Sequence, residues 1–135
     1  MVAKHITYDI SKYEIVPFEQ FGGRSSSLCI NVGLSLVHNI ESSWKRGLVT
    51  SVLAIYIKGF FDNVNHKRLV RIMWEYGFPL PIVQWVASFI SERKASIRLD
   101  NFTSEVRPIS VGVPQGSPVS LVLAVIYSTV VIRFI

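Results

Sequence analysis

Residues 53–66, LAIYIKGFFDNVNH, join an apolar run to a polar turn. The run reaches back to residue 49, is rich in Val, Ile and Tyr, and carries no charge as far as Ile57. That composition is typical of a β-strand covered on both faces. Such strands often deliver a carboxylate to a site, but the first acidic residue here is Asp62. The sequence therefore predicts a buried strand over residues 49–57 without an acid at its end.

A helix is predicted before this strand. Leu28, Val32, Leu36 and Ile40 recur at four-residue steps, which is the spacing of one helix face. Gly47 stands where such a helix would stop. Further apolar residues nearby indicate that this helix is mostly buried.

Three more helices are predicted after the strand. The first, residues 64–76, separates apolar from basic side chains, and the second opens at Pro81. The third opens at Pro118 and runs to Tyr127. The β-branched tail, residues 128–135, fits a strand equally well.

A β-hairpin is predicted between the last two helices. Residues 95–99 alternate polar and apolar side chains, Asp100 and Asn101 form the turn, and residues 106–111 return. Helices mixed with strands indicate an α/β or α+β fold. Residues 1–20 show no firm period and are expected to form a poorly defined leader.

Size and charge limit the function classes. The 135 residues suit one domain. The 14 Lys and Arg against 9 Asp and Glu give a net charge of +5, which fits a polyanionic partner and equally a basic solvated surface. An apolar fraction of 50% indicates a very buried core or a surface that meets a partner.

Cysteine content and hydropathy indicate a soluble intracellular protein. Cys29 is the only cysteine, so an intrachain disulfide and a cysteine metal site are excluded. No signal-peptide pattern opens the chain. The longest apolar run, residues 119–132, is shorter than the ~18 residues of a membrane span, so no membrane partner is expected.

Four blocks carry a family resemblance, in the order FGGR (21–24), AIYIKGFFDNVNHKRL (54–69), YGFPLPIVQWVASFISERKASIRL (76–99) and RPISVGVPQGSPVS (107–120). Together they resemble reverse transcriptases of the non-LTR retrotransposon type. The resemblance implies a partial right-hand polymerase with inner fingers and an incomplete palm over residues 21–127. Residues 1–20 would be a leader and residues 128–135 a divergent tail.

The resemblance implies RNA-directed DNA synthesis by two Mg²⁺ ions, with an RNA template, a DNA primer and dNTP as partners. Tyr56 stands where the family has a metal-binding aspartate, and a neutral phenol cannot replace that carboxylate. Ile57 matches a residue whose backbone carbonyl can touch metal. The acidic pair of the family's Tyr-Xaa-Asp-Asp box has no counterpart in the chain. We therefore expect no intact metal site and no polymerase activity.

Asp62 is not expected to substitute for the missing aspartate. It lies six residues beyond Tyr56, on the order of 20 Å in an extended chain. That distance is several times the spacing of paired catalytic metals. We expect Asp62 to cap the helix of residues 64–76 instead.

Three residues are candidates for holding a nucleotide. Phe61 matches the residue that excludes ribonucleotides by contact with the ribose 2′ position, although the pattern alone favours a core aromatic. Gln115 matches a glutamine beside the incoming nucleotide, and Gly116 permits close backbone approach. Without the resemblance, residues 113–118 form an ordinary turn into a helix.

Basic residues are candidates for nucleic-acid contacts. Arg24 follows two glycines, which would bring backbone and guanidinium to a phosphate together. The other basic residues fall into three groups. Two of them supply the remaining candidates, which are Lys67, Arg68 and Arg71, and Arg93 and Lys94 beside Arg98; the third group is Lys45 with Arg46. A solvated surface explains these groups equally well. The alternatives to a polymerase fragment are a non-catalytic nucleic-acid-binding remnant and a functionless truncated product that self-associates through exposed apolar surface.

Overall fold

The computed structural model describes residues 1–17, 20–22 and 29–133. Within these ranges it combines helices with short antiparallel strands, which is an α+β fold. The elements in chain order are α1 (Val2–Lys12), α2 (Cys29–Lys45), α3 (His66–Glu75), α4 (Leu80–Ile90), β1 (Arg93–Ala95), β2 (Arg98–Leu99), β3 (Phe102–Thr103), β4 (Arg107–Ile109) and α5 (Pro118–Ile132).

The core is built by four helices. Helix α5 packs against α1 and α3, and α3 packs against α4. Ile6, Leu69, Val86, Leu123 and Ile126 are fully buried at these contacts. None of the helices in the described ranges is both long and apolar enough to cross a membrane.

The expectation that the N-terminal residues lack firm structure is wrong for residues 2–12. They form α1, whose Ile6 and Ile10 are buried. These residues lie one turn apart, so a narrow apolar stripe suffices to seat the helix on α5. The chain after it is held by the Arg133 guanidinium, which donates to the carbonyl of Ile15 at 3.0 Å. The domain boundaries after residues 20 and 127 stay predictions.

The predicted buried strand is not present. Residues 49–57 are irregular and, apart from the half-buried Thr50, exposed, with Val49 exposed by 95% and Tyr56 by 88%. A strand needs a neighbour to pair its backbone donors and acceptors. Every strand of the described chain belongs to the hairpin of β1 to β4, so this segment has no strand beside it.

Helix α2 forms where it is predicted, before Gly47 at φ +71°. The expectation that it is mostly buried is wrong, because Leu34 and Trp44 are exposed by 63% and 67%. The main packing contacts in the described chain join other elements and leave α2 aside. Its apolar face therefore lies open.

The predictions of α3 and α4 are confirmed. Helix α3 ends at Glu75, and Gly77 follows with a φ of +74°, which suits the residue after a helix C-terminus. Its N-cap is Asn65, whose Oδ1 accepts from the Arg68 amide at 3.0 Å. The expectation that Asp62 caps this helix is therefore wrong, since the helix begins later than predicted. Pro81 lies in the first turn of α4.

The hairpin is confirmed, although it is split into two ladders. Strand β1 pairs with β4 and β2 pairs with β3, with Leu99 opposite Phe102 across the predicted turn. Asp100 takes a φ of +48° in that turn. After Tyr127 the chain continues as α5 to Ile132, so the helical alternative holds for the tail up to that residue.

Candidate functional site

The turn before α3 is joined to the loop before α5 by backbone hydrogen bonds. The Val113 amide donates to the Phe61 carbonyl at 2.9 Å. The Gly112 amide donates to the Val64 carbonyl at 2.8 Å. These bonds fix the loop that carries Gln115 and Gly116 against the turn that carries Phe61.

Gly112 lies at the closest point of this junction. Its φ is +82°, and a Cβ there would lie 2.7 Å from the carbonyl oxygen of Asp62. Only glycine fits such a conformation and approach. The Gly112 carbonyl also lies 2.7 Å from Nε2 of His66. No sequence pattern indicates this histidine contact, because 46 positions separate the two residues.

Phe61, Gln115 and Gly116 line one opening of about 500 Å³, together with the first residues of α5. The three predicted nucleotide residues therefore lie together. Gly116 takes a φ of +88° and has open space where a Cβ would be. The backbone of Gly116 is accessible because no neighbouring atom fills that space.

A second opening of about 550 Å³ adjoins the first and shares Gln115 with it. Asp62 and Arg93 line this second opening. The Gln115 amide donates to the Asp62 carboxylate at 3.4 Å, which is a long hydrogen bond. Lys94 is exposed and lines neither opening. The structure therefore separates Arg93, which is beside the candidate nucleotide residues, from Lys94.

A basic groove of about 390 Å³ lies between α3 and α5. We define it by its lining residues, which are Asn65, Lys67, Arg68, Arg71 and Tyr127. It gathers one of the predicted basic groups on one side of α3. The predicted phosphate contact at Arg24 lies outside the described residues.

The model of the family described as "Reverse transcriptase (RNA-dependent DNA polymerase)" matches residues 1–135. The chain belongs to the reverse transcriptase family. This confirms the resemblance seen in the four sequence blocks. No solved structure matches the chain.

Relatives of this reverse transcriptase chain come from transposable elements. It is 26% identical over 117 residues to a probable RNA-directed DNA polymerase from transposon BS of Drosophila melanogaster, covering 87% of this chain and 13% of that protein. It is 38% identical over 61 residues to the RNA-directed DNA polymerase from mobile element jockey of the same organism, covering 45% and 7%. A type-1 retrotransposable element R2 polyprotein of Popillia japonica is 29% identical over 90 residues, covering 67% and 15%. The chain thus spans a small part of the length of these curated relatives.

Tyr56 and Ile57 are the residues that the resemblance places at the family's metal position. Tyr56 and Ile57 lie in the exposed segment of residues 49–57. Mg²⁺ prefers carboxylate and phosphate oxygens, and a neutral phenol supplies neither. Nowhere in residues 1–17, 20–22 and 29–133 do three His, Cys, Asp or Glu side chains gather as metal ligands would.

Proposed function

We propose that this chain supplies the nucleotide-holding part of an RNA-directed DNA polymerase domain. The ligand is a deoxynucleoside triphosphate, and the partners of the complete domain are an RNA template and a DNA primer. One observation carries the proposal, which is that Phe61, Gln115 and Gly116 line a single opening. The right-hand architecture of inner fingers and incomplete palm is part of the same proposal.

Each residue of the opening has a distinct role in holding the nucleotide. The Phe61 ring contacts the sugar and leaves no room for a 2′ hydroxyl. The Gln115 amide can both donate and accept a hydrogen bond. Gly116 lets the backbone approach the ligand because it has no Cβ.

Arg93 adds charge complementarity at the adjoining opening. Its guanidinium can pair with a triphosphate bidentately. Asp62 lines the same opening and its carboxylate repels an anion. The phosphates therefore bind on the Arg93 side of this opening, and the Asp62 carboxylate accepts the 3.4 Å hydrogen bond from Gln115.

We infer that the chain binds nucleotide without transferring it. Tyr56 offers a neutral phenol where transfer needs a carboxylate that holds metal. Mg²⁺ is consequently not bound at Tyr56. The function is that of a polymerase segment which has kept its nucleotide contacts and lost its catalytic acid.

A titration of the chain with dATP, followed by NMR chemical shifts, tests the nucleotide site. Gln115→Ala should weaken binding by about two- to tenfold, the value of a neutral hydrogen bond. Gln84→Ala is the matched control, because Gln84 is exposed on α4 and lines neither opening. Equal effects of the two variants, or no binding of dATP, would contradict the proposal.

Selectivity for the sugar tests Phe61 separately. The chain should bind dATP more tightly than ATP, and Phe61→Val should reduce that difference by making room for the 2′ hydroxyl. The ratio of the two dissociation constants removes any general loss of affinity in the variant. An unchanged ratio would assign Phe61 to packing alone.

A further inference from the structure

The basic groove between α3 and α5 concentrates cations on a short length of helix. Lys67 and Arg68 lie in the first turn of α3, and Arg71 lies one turn further on. All three are exposed. Tyr127 of α5 closes the opposite side. The groove shares no lining residue with the two openings around Gln115.

The positive charge of this groove is poorly neutralised by the protein. Arg71 pairs with Glu75 at 3.4 Å, but both side chains are largely exposed, so the pair is weak. Lys67 and Arg68 have no ion pair with any described residue. The first turn of α3 contains no acidic residue, although the helix dipole favours acids there and disfavours cations. A bound polyanion would relieve this repulsion.

We propose that the basic groove binds the phosphodiester backbone of a single-stranded nucleic acid, with phosphates paired to Lys67, Arg68 and Arg71. Guanidinium groups match phosphate oxygens bidentately. The Tyr127 side chain adds an aromatic surface beside the cations, a combination found where single strands bind without sequence preference.

This proposal rests on one premise of the proposed function, which is that a segment of a reverse transcriptase contacts nucleic acid. It names which surface does so. Because its residues line neither nucleotide opening, RNA binding and dATP binding can be lost separately. Gln115→Ala should therefore leave RNA affinity unchanged.

Fluorescence anisotropy of a labelled poly(rU) oligonucleotide, titrated with the full chain over a range of salt, tests the groove. For single strands the logarithm of affinity falls with the logarithm of salt by about 0.7 per phosphate contact. The double variant Lys67→Gln/Arg68→Gln should reduce the slope by about 1.4. With the affinity at 1 M salt unchanged, that slope predicts a loss of about sixtyfold at ~50 mM salt and about tenfold at ~200 mM.

The matched control is Lys4→Gln/Lys45→Gln, which removes the same two charges from the exposed surfaces of α1 and α2. It should change the slope little. Circular dichroism checks that the variants fold, and the double variant in α3 should keep its helix because it removes cations from a helix N-terminus. An equal slope change in both double variants would overturn the proposal.

Glu75 gives a test in the opposite direction. Glu75→Gln releases Arg71 and removes a carboxylate that repels phosphate, so RNA affinity should rise by about twofold. Glu41→Gln on the exposed surface of α2 is its control and should have a smaller effect. If polyglutamate displaces the oligonucleotide as well as an excess of unlabelled poly(rU) does, the groove is a general anion surface and the proposal fails. Absence of RNA binding by the unmodified chain would also overturn it.

Discussion

Gly112→Ala should separate the two segments that form the candidate nucleotide site. The new Cβ would lie 2.7 Å from the Asp62 carbonyl oxygen and 3.1 Å from the Asp62 Cα. Both neighbours are backbone atoms, so the contact is relieved only if the turn before α3 moves. That movement would stretch the hydrogen bond from the Gly112 amide to the Val64 carbonyl.

The loss in free energy of unfolding caused by Gly112→Ala has two parts, which are backbone strain and overpacking. Gly116→Ala measures the first part alone. Both glycines have a positive φ, at +82° and +88°, which costs about 1–2 kcal/mol for alanine. Gly116 has nothing within 4 Å of a new Cβ, so its variant should show that strain alone. Overpacking at Gly112 adds about 1–3 kcal/mol, for a total of about 2–5 kcal/mol.

Urea unfolding monitored by circular dichroism measures both variants under the same conditions. The free energy of unfolding should fall further for Gly112→Ala than for Gly116→Ala by about 1–3 kcal/mol. Equal losses would refute the reasoning, because they would mean that the approach of Gly112 to Asp62 is not tight. A Gly112 variant as stable as the unmodified chain would refute it more strongly.

Four further changes test other parts of the structure. Asn65→Ala removes the N-cap of α3 and should cost about 1 kcal/mol in urea unfolding, whereas Asn65→Asp should cost little. Leu123→Ala should cost about 2–5 kcal/mol because Leu123 is fully buried, and Leu121→Ala, at a position 48% exposed, should cost clearly less. Tyr56→Asp should not produce primer extension, since one carboxylate does not complete a two-metal site. The chain should self-associate as concentration rises in sedimentation, and Leu53→Lys should reduce this because Leu53 is 82% exposed.

Local periodicity was sufficient for most helices and for the hairpin. Helices α3 and α4 carry clear apolar stripes bounded by proline or glycine, so their sequence and their packing agree. Helix α1 was missed because only Val2, Ile6 and Ile10 mark its inner face, and the intervening residues are mostly polar. In the sequence alone, a helix with so narrow an apolar stripe cannot be distinguished from an irregular segment.

The strand prediction failed for a different reason. Residues 49–57 have the composition of a buried strand, but composition describes a preference and pairing needs a neighbour. Helix α2 shows the same difference between local preference and a partner in space. Its apolar periodicity predicted the helix correctly, but its burial was predicted incorrectly. Long-range partners are not readable from local pattern.

The candidate site depended on the family blocks. Pattern alone assigns Phe61 to the core and Gln115 to a turn, and only the resemblance placed them together. The structure adds Gly112, Asp62 and His66, whose contacts join residues distant in sequence. Asn65 replaced Asp62 as the helix cap because the helix begins at His66, four residues after Asp62.

Primer extension by the chain in the presence of Mg²⁺ tests the central claim most directly. The reaction holds a primed RNA template and all four deoxynucleoside triphosphates, with a chelator in a parallel sample. We expect no extended primer in either sample, because Tyr56 supplies no carboxylate for metal. Extension that the chelator abolishes would contradict it.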